Sequence, residues 1–274
     1  MMWVDDLRQA CKDRLIGKEI LFFLEIDSTN REARDRAKGG AGEGTVILAD
    51  SQSRGKGRLG RSWESSPGAN LHLSIILKPP ICPSDAPQIT LLAGVAAARA
   101  LSGVSGLKCL IKWPNDILLR GKKLAGILAE MEGEGSRVGF IILGIGVNVN
   151  WRREDFPAGL GVTATSLRAE SGKEISRAAA AAGLFRELEK EYTAFIREGF
   201  SARLREEWDR LSWINGKEVT LSLPEGEISG RALGLDTDGA LLLLDGKGKP
   251  RRFIAGDVSL RRMDNHEWDT DEHE

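Results

Sequence analysis

The sequence predicts an α+β protein: a mixed α/β region over residues 1–212, a small β-barrel over 213–263 and an acidic tail over 264–274. Three observations support this. Apolar runs of strand length alternate with helical segments through the first part of the chain. Helical periodicity then runs from about Ser176 to Arg197 and again from about Ser201 to Leu211. From Gly216 to Arg262 only short β segments remain, with turn residues at Asp238-Gly239 and from Asp245 to Gly248. Short strands at regular spacing are the pattern of a small barrel.

In chain order, residues 19–26 (EILFFLEI) read as a buried strand. Thr29 and Glu32 have capping-box spacing for a helix reaching about Lys38. GGAGEG (39–44) leads to a strand at 45–50, and residues 51–63 form a polar, glycine-rich, basic loop. NLHLSIIL (70–77) alternates like a strand. Residues 85–101 read as a helix ending at Gly103. LKCLIKW (107–113) is a strand closed by Pro114, and 123–132 with 137–150 form a hairpin turning between Gly133 and Ser136. The domain boundary is expected near Trp213. Residues 264–274 carry six acids and no Lys or Arg, the composition of a frayed tail.

Composition removes several function classes. The 274 residues carry a formal net charge of −1. That argues against nucleic-acid wrapping, which needs a surplus of Lys and Arg on the binding face. No uninterrupted apolar run reaches about 18 residues, so no membrane span is expected. The first residues, MMWVDDLRQACKDRL, contain two early acids and no apolar secretory core. Cys11, Cys82 and Cys109 are odd in number and form no CxxC pair, which disfavours a disulfide framework or zinc site and points to a reducing, cytoplasmic setting. Of the three histidines, His266 and His273 lie in the tail, so a triad or metal cage would rest on His72 alone.

The chemistry concentrates in SQSRGKGRLGRSW (51–63), with four cations and no acid. Gly55, Gly57 and Gly60 satisfy G-x-G-x-x-G, but no helix opens after them and no acid follows near position 80, so the dinucleotide reading fails. A mobile basic glycine loop can close over an anion, where each charge-assisted hydrogen bond contributes roughly 1.5–3 kcal/mol. A solvated surface loop is the plain alternative. Lys112 ends a buried-looking strand before Pro114, and lysine is seldom buried without a partner. Asn115 and Asp116 are turn formers. Gly126, and Gly144 with Gly146, interrupt apolar strands, as happens at bulges or where a ligand approaches the backbone. Asn148 follows as an isolated polar residue.

Taken in order, DSTN (27–30), GKGRLGR (55–61), KWPND (112–116), KLAGIL (123–128) and GIGVN (144–148) resemble the catalytic domain of the biotin protein ligases. SGRALGLDTDGALLL (229–243) is similar to that family's C-terminal SH3-like barrel. The resemblance spans roughly residues 20–262 and implies a mixed-sheet biotin/lipoate-ligase-like domain followed by that barrel. It also implies ATP and biotin as substrates, Mg²⁺ on the triphosphate, and a biotin carboxyl carrier protein as acceptor. A homodimer is possible within this family.

Carried onto this chain, the resemblance implies catalytic roles for Lys112 and Arg58. Ser28, Thr29, Asn30, Gln52, Gly55, Gly57, Arg58, Lys112 and Gly126 would contact biotin. Lys56, Arg61, Trp63, Asn115 and Asn148 would lie near the nucleotide, with Asp116 a weak metal candidate. Thr29 could equally be a helix cap, and Trp63 could equally pack. Lys56 stands where many relatives carry arginine. A lipoate or octanoyl ligase shares the fold and is the alternative. A DNA-binding repressor is disfavoured because only 26 residues precede Asp27, fewer than the about 40 that a three-helix reader needs.

Overall fold

A computed structural model of the chain describes residues 2–260. The acidic segment expected at 264–274 lies outside the described residues.

Helix α1 (Met2–Cys11) opens the chain, burying Val4, Leu7 and Cys11. This helix is not among the elements predicted above, although those three residues recur at helical spacing. Strand β1 (Ile20–Ile26) leads to α2 (Thr29–Lys38), β2 (Val46–Gln52) and β3 (Leu71–Leu77). The capping-box expectation for α2 is corrected. Ser28 is the N-cap and makes no side-chain capping bond, and Glu32 pairs with Arg36 at 2.7 Å. Thr29 turns its hydroxyl toward Gln52 and away from the helix backbone.

Helix α3 (Ala86–Ser105) runs past Gly103 and stops at Gly106, whose φ of 73° supplies the left-handed cap. With its leading turn it is long and apolar enough to cross a membrane, but 72% of that window is buried inside the molecule. It is the central core helix, lined by Leu91, Leu92, Val95 and Leu101. Strands β4 (Cys109–Lys112), β5 (Asp116–Leu119), β6 (Lys122–Glu134) and β7 (Arg137–Val147) follow. β5 was not separated from its neighbours in the sequence. The remaining helices are α4 (Leu160–Thr163), α5 (Leu167–Ser171), α6 (Arg177–Glu198) and α7 (Ala202–Leu211).

The large sheet has the order β1-β2-β3-β7-β6-β5-β4. β1 and β2 are parallel and the other neighbours antiparallel, so the sheet is mixed. Alternation along β3 assigns its two faces. Leu71, Leu73, Ile75 and Leu77 join the main core with α1, α3 and α6. Ile76 points the other way, into a small cluster with Ala33 and Ala37 of α2, Ile47 and Ile142. Helix α2 therefore covers only part of that second face. Ser74 and His72 continue the Ile76 row, Ser74 under the first residues of the helix and His72 beyond them at the cavity.

After α7, Ser212 bridges to Ile111, and the amide of Trp213 donates to the Ile111 carbonyl at 2.7 Å. Strands β8 (Glu218–Leu223), β9 (Gly226–Leu235), β10 (Leu241–Leu244), β11 (Pro250–Phe253) and β12 (Asp257–Leu260) form an antiparallel sheet ordered β11-β10-β9-β8-β12. Val219, Leu221, Ala232, Leu241, Leu243 and Val258 are its buried side. The start of β12 stands over the open face of the large sheet.

Candidate active site

The floor of the site is bare backbone. Gly126 of β6 pairs with Gly146 of β7, and Leu128 pairs with Gly144. A Cβ on Gly144 would stand 2.1 Å from Asn30 Oδ1, and one on Gly146 would stand 2.5 Å from the Trp63 indole. At Gly126 the same ring would be 3.0 Å away. Glycine is required at these positions because neighbouring groups occupy the space a side chain would take.

One end of the floor is closed by the start of α2. Ser28, Thr29 and Asn30 are all buried there. The Thr29 amide and hydroxyl donate to Gln52 Oε1 at 2.7 and 3.0 Å. Ser74, fully buried on β3, donates to Thr29 Oγ1 at 2.8 Å and Asn30 Oδ1 at 2.6 Å. Asn30 Nδ2 donates to Glu130 at 2.6 Å. This hydrophilic end can hold a compact polar group.

The basic loop folds over the other end. The Gly57 amide donates to Arg61 O at 2.7 Å and the Trp63 amide to Gly55 O at 2.9 Å, so the segment doubles back as a narrow hairpin. Arg58 donates to Asn115 Oδ1 at 2.9 Å and to Asp257 Oδ1 at 3.3 Å, while Arg61 takes the other oxygen of Asp257 at 2.5 Å. Lys112 is half-buried at the end of β4, and its ammonium has no hydrogen-bond or ion-pair partner among the described residues. An unpaired ammonium in such a place is costly unless an anion completes it.

A cavity of about 290 Å³ unites these groups. Of the residues singled out in the sequence, Ser28, Thr29, Asn30, Gln52, Lys56, Gly57, Arg58, Arg61, Trp63, Lys112, Asn115, Asp116 and Gly126 line it. Gly55 and Asn148 do not. Gly55 packs against the Trp63 backbone, with 2.6 Å from a built Cβ to Trp63 O. The Asn148 amide donates to Thr165 O at 3.0 Å, tying the segment after α4 to the sheet. Asn115 is engaged at both ends, since its Nδ2 donates to Ile127 O.

The metal expectation for Asp116 fares poorly. Its carboxylate is 2.7 Å from Lys123 Nζ, and Asp257, the other acid on the wall, is held by two arginines. Both acids are already neutralised by cations. No group of three or more metal-ligating side chains occurs among the described residues.

Four residues in or just behind the wall were not predicted as members of the site: Ser74, His72, Glu130 and Asp257, of which His72 and Asp257 line the cavity while Ser74 and Glu130 stand behind Asn30. The first two carried a signal, as polar residues alternating with leucines in 71–77. Glu130 was an acid inside an apolar strand. Asp257 had none, since nearly two hundred residues separate it from Arg58. His72 is buried, and its Nε2 lies 2.9 Å from Ser65 Oγ. Burial pushes its imidazole down to about 4, partly offset by Asp50. The unfolded chain therefore binds a proton that the folded chain refuses, and stability falls as pH drops from about 6.5 toward 4. Between pH 7 and pH 5 this loss should be about 2 kcal/mol. Urea titrations of wild type and His72→Gln should show it only in wild type, and equal slopes would refute the assignment.

The mixed sheet, the small β module and a cation-rimmed cavity together define a ligase of the biotin/lipoate class. The profile of the Biotin/lipoate A/B protein ligase family matches residues 23–148, and that of the Biotin protein ligase C terminal domain matches 215–261. The chain belongs to the biotin protein ligase family. It is 37% identical over 255 residues to the Bifunctional ligase/repressor BirA of Bacillus spizizenii, covering 93% of this chain and 78% of that protein. It is 33% identical over 261 residues to the Biotin--[acetyl-CoA-carboxylase] ligase of Mycobacterium tuberculosis, covering 91% and 94%. Among solved structures, the biotin protein ligase from Aquifex aeolicus in complex with biotin and ATP superposes with a TM-score of 0.77 at 30% identity, covering 90% of this chain and all of that one.

Proposed function

We propose that the chain is an ATP-dependent ligase that activates biotin as biotinyl-5′-AMP and transfers it to a lysine of a biotin carboxyl carrier protein. The observation that carries this is the convergence of unpaired Lys112 and the Arg58 loop on one glycine-floored cavity with a hydrophilic closed end. The alternative lipoate or octanoyl ligase is disfavoured by that closed end. The polar side chains lining it there, Ser28, Thr29, Asn30 and Gln52, suit a urea ring, whereas a lipoyl or octanoyl chain would leave them unmatched.

In the first step a biotin carboxylate oxygen attacks the α-phosphorus of ATP. The new P–O bond forms as the bond to the β-phosphate oxygen breaks and pyrophosphate leaves. Two anions must meet, so positive charge is needed where they join. Lys112 is assigned to that bridge, as a compact ammonium able to touch carboxylate and phosphate together. Lys56 and Arg61 face the phosphates from the loop, and Mg²⁺ enters as part of the nucleotide substrate. Ser28, Thr29 and Gln52 hold the urea ring. In the second step an acceptor lysine amine attacks the anhydride carbonyl, an amide forms, AMP departs and the amine releases its proton.

The loop shields the anhydride from water. Removing one loop contact with Arg58→Ala should shorten the half-life of bound biotinyl-5′-AMP about tenfold, the size of one charge-assisted hydrogen bond. The check is decay of preformed adenylate in the absence of acceptor, and an unchanged half-life defeats the shielding role. The whole reading is tested by incubating the protein with ATP, Mg²⁺, biotin and a carrier domain. The carrier should gain the mass of one biotinyl group; no gain with biotin, or gain with lipoate instead, overturns the reading.

A further inference from the structure

We infer that Glu130 is a positioning residue that sets which groups donate and which accept at the closed end of the cavity, acting through Asn30 and Ser74. This rests on the biotin reading above, with the urea ring at that end.

One Glu130 oxygen receives Asn30 Nδ2 at 2.6 Å, and the other receives Arg34 at 2.8 Å. Burial by itself would raise this carboxyl, but the hydrogen bonds from Asn30 and Arg34 outweigh it and hold the group below its ordinary value. A carboxylate only accepts. The Asn30 amide nitrogen must therefore face Glu130, and its oxygen must face Ser74. Ser74 has one hydroxyl hydrogen, drawn to Asn30 Oδ1 at 2.6 Å and shared with Thr29 Oγ1 at 2.8 Å. Thr29 spends its own hydrogen on Gln52 Oε1. Thr29 Oγ1 thus keeps lone-pair capacity, while the Gln52 amide nitrogen and the Ser28 hydroxyl remain as donors.

A cyclic urea needs that polarity: acceptors for its N–H groups and donors for its oxygen. Glu130 touches no part of this ligand. It fixes the pattern from behind, and the close approach of Gly144 to Asn30 keeps the amide in line. If position 130 could donate, Asn30 would be free to turn over. Its nitrogen would then face Ser74, and Ser74 would hand its hydrogen wholly to Thr29. Thr29 Oγ1, already committed to that hydrogen, would then have one lone pair in place of nearly two for the ligand's N–H and would accept it less strongly.

Glu130→Gln is nearly the same shape and allows that reversal. Biotin and biotinol, which share the urea head, should both bind about tenfold more weakly, the size of one lost hydrogen bond. The KM for ATP and kcat at saturating biotin should stay within about twofold. Affinity for 2-iminobiotin, which keeps both ring N–H groups and differs only in carrying nitrogen in place of the urea oxygen, should fall by a similar factor. In a Ser74→Ala background the relay is already cut, so adding Glu130→Gln should change biotin binding no further.

A variant that weakens ATP and biotin alike, or that adds fully to Ser74→Ala, shows a structural role and overturns the inference. So does unchanged biotin affinity. If Glu130→Gln fails to fold by thermal melt, Asn30→Ala frees the same hydrogen and must weaken biotin while leaving the KM for ATP within about twofold. Wild-type protein that gives no calorimetric signal with biotin overturns the function reading itself, and this inference with it.

Discussion

Replacing Lys112 with alanine is expected to slow biotinyl-5′-AMP formation about a thousandfold, while biotin affinity changes by less than about fivefold. The asymmetry comes from where charge builds up. In the ground state the carboxylate can be met by solvent and by the loop cations. At the transition state the carboxylate oxygen and the α-phosphate share one small volume, and a partner-free ammonium at the end of β4 is the group placed to lie between them. Biotin-dependent pyrophosphate release and calorimetric titration separate the two effects. Equal losses in both measurements would remove Lys112 from the chemistry. Lys112→Arg should recover little, because a planar fork does not replace a point charge between two anions.

A second large effect is expected from one added methyl group. Gly144→Ala would drive a Cβ to 2.1 Å from Asn30 Oδ1. The sheet backbone cannot yield, being paired on both sides, with β3 and with β6. Asn30 must therefore leave its place against Ser74 and Glu130. Biotin affinity should fall about a hundredfold through loss of the ordered closed end, with roughly 1–3 kcal/mol lost from stability through overpacking. Gly103→Ala is the control: its Cβ meets nothing within 4 Å on α3, so biotin binding should be unaffected. Normal biotin titration of Gly144→Ala would show that the floor does not set the ligand's seat.

Much of this was legible in the chain, for identifiable reasons. Strands such as 70–77 and the hairpin of β6 and β7 announce themselves by apolar runs between glycine-rich turns, and the loop 51–63 by four cations without an acid. Local pattern erred where long-range partners decide. Thr29 has the spacing of a cap, yet its hydroxyl goes to Gln52 on the neighbouring strand. Gly103 looks like a helix end, but α3 is held by burial on several sides and continues to Gly106. Asn148 sits in a motif beside the site and spends its amide on Thr165. The counter-charge for Arg58 and Arg61 could not be found locally at all, since Asp257 arrives from the second sheet.

The three glycines under the cavity bear on how this site can evolve. No residue is smaller, so every heritable change at 126, 144 or 146 adds bulk against Asn30 or Trp63. The base of the pocket can only be obstructed, never enlarged. New substrate preference must therefore arise from the surrounding side chains, at positions such as Ser28, His72 and Leu128, while the bottom stays frozen across descendants that keep the reaction.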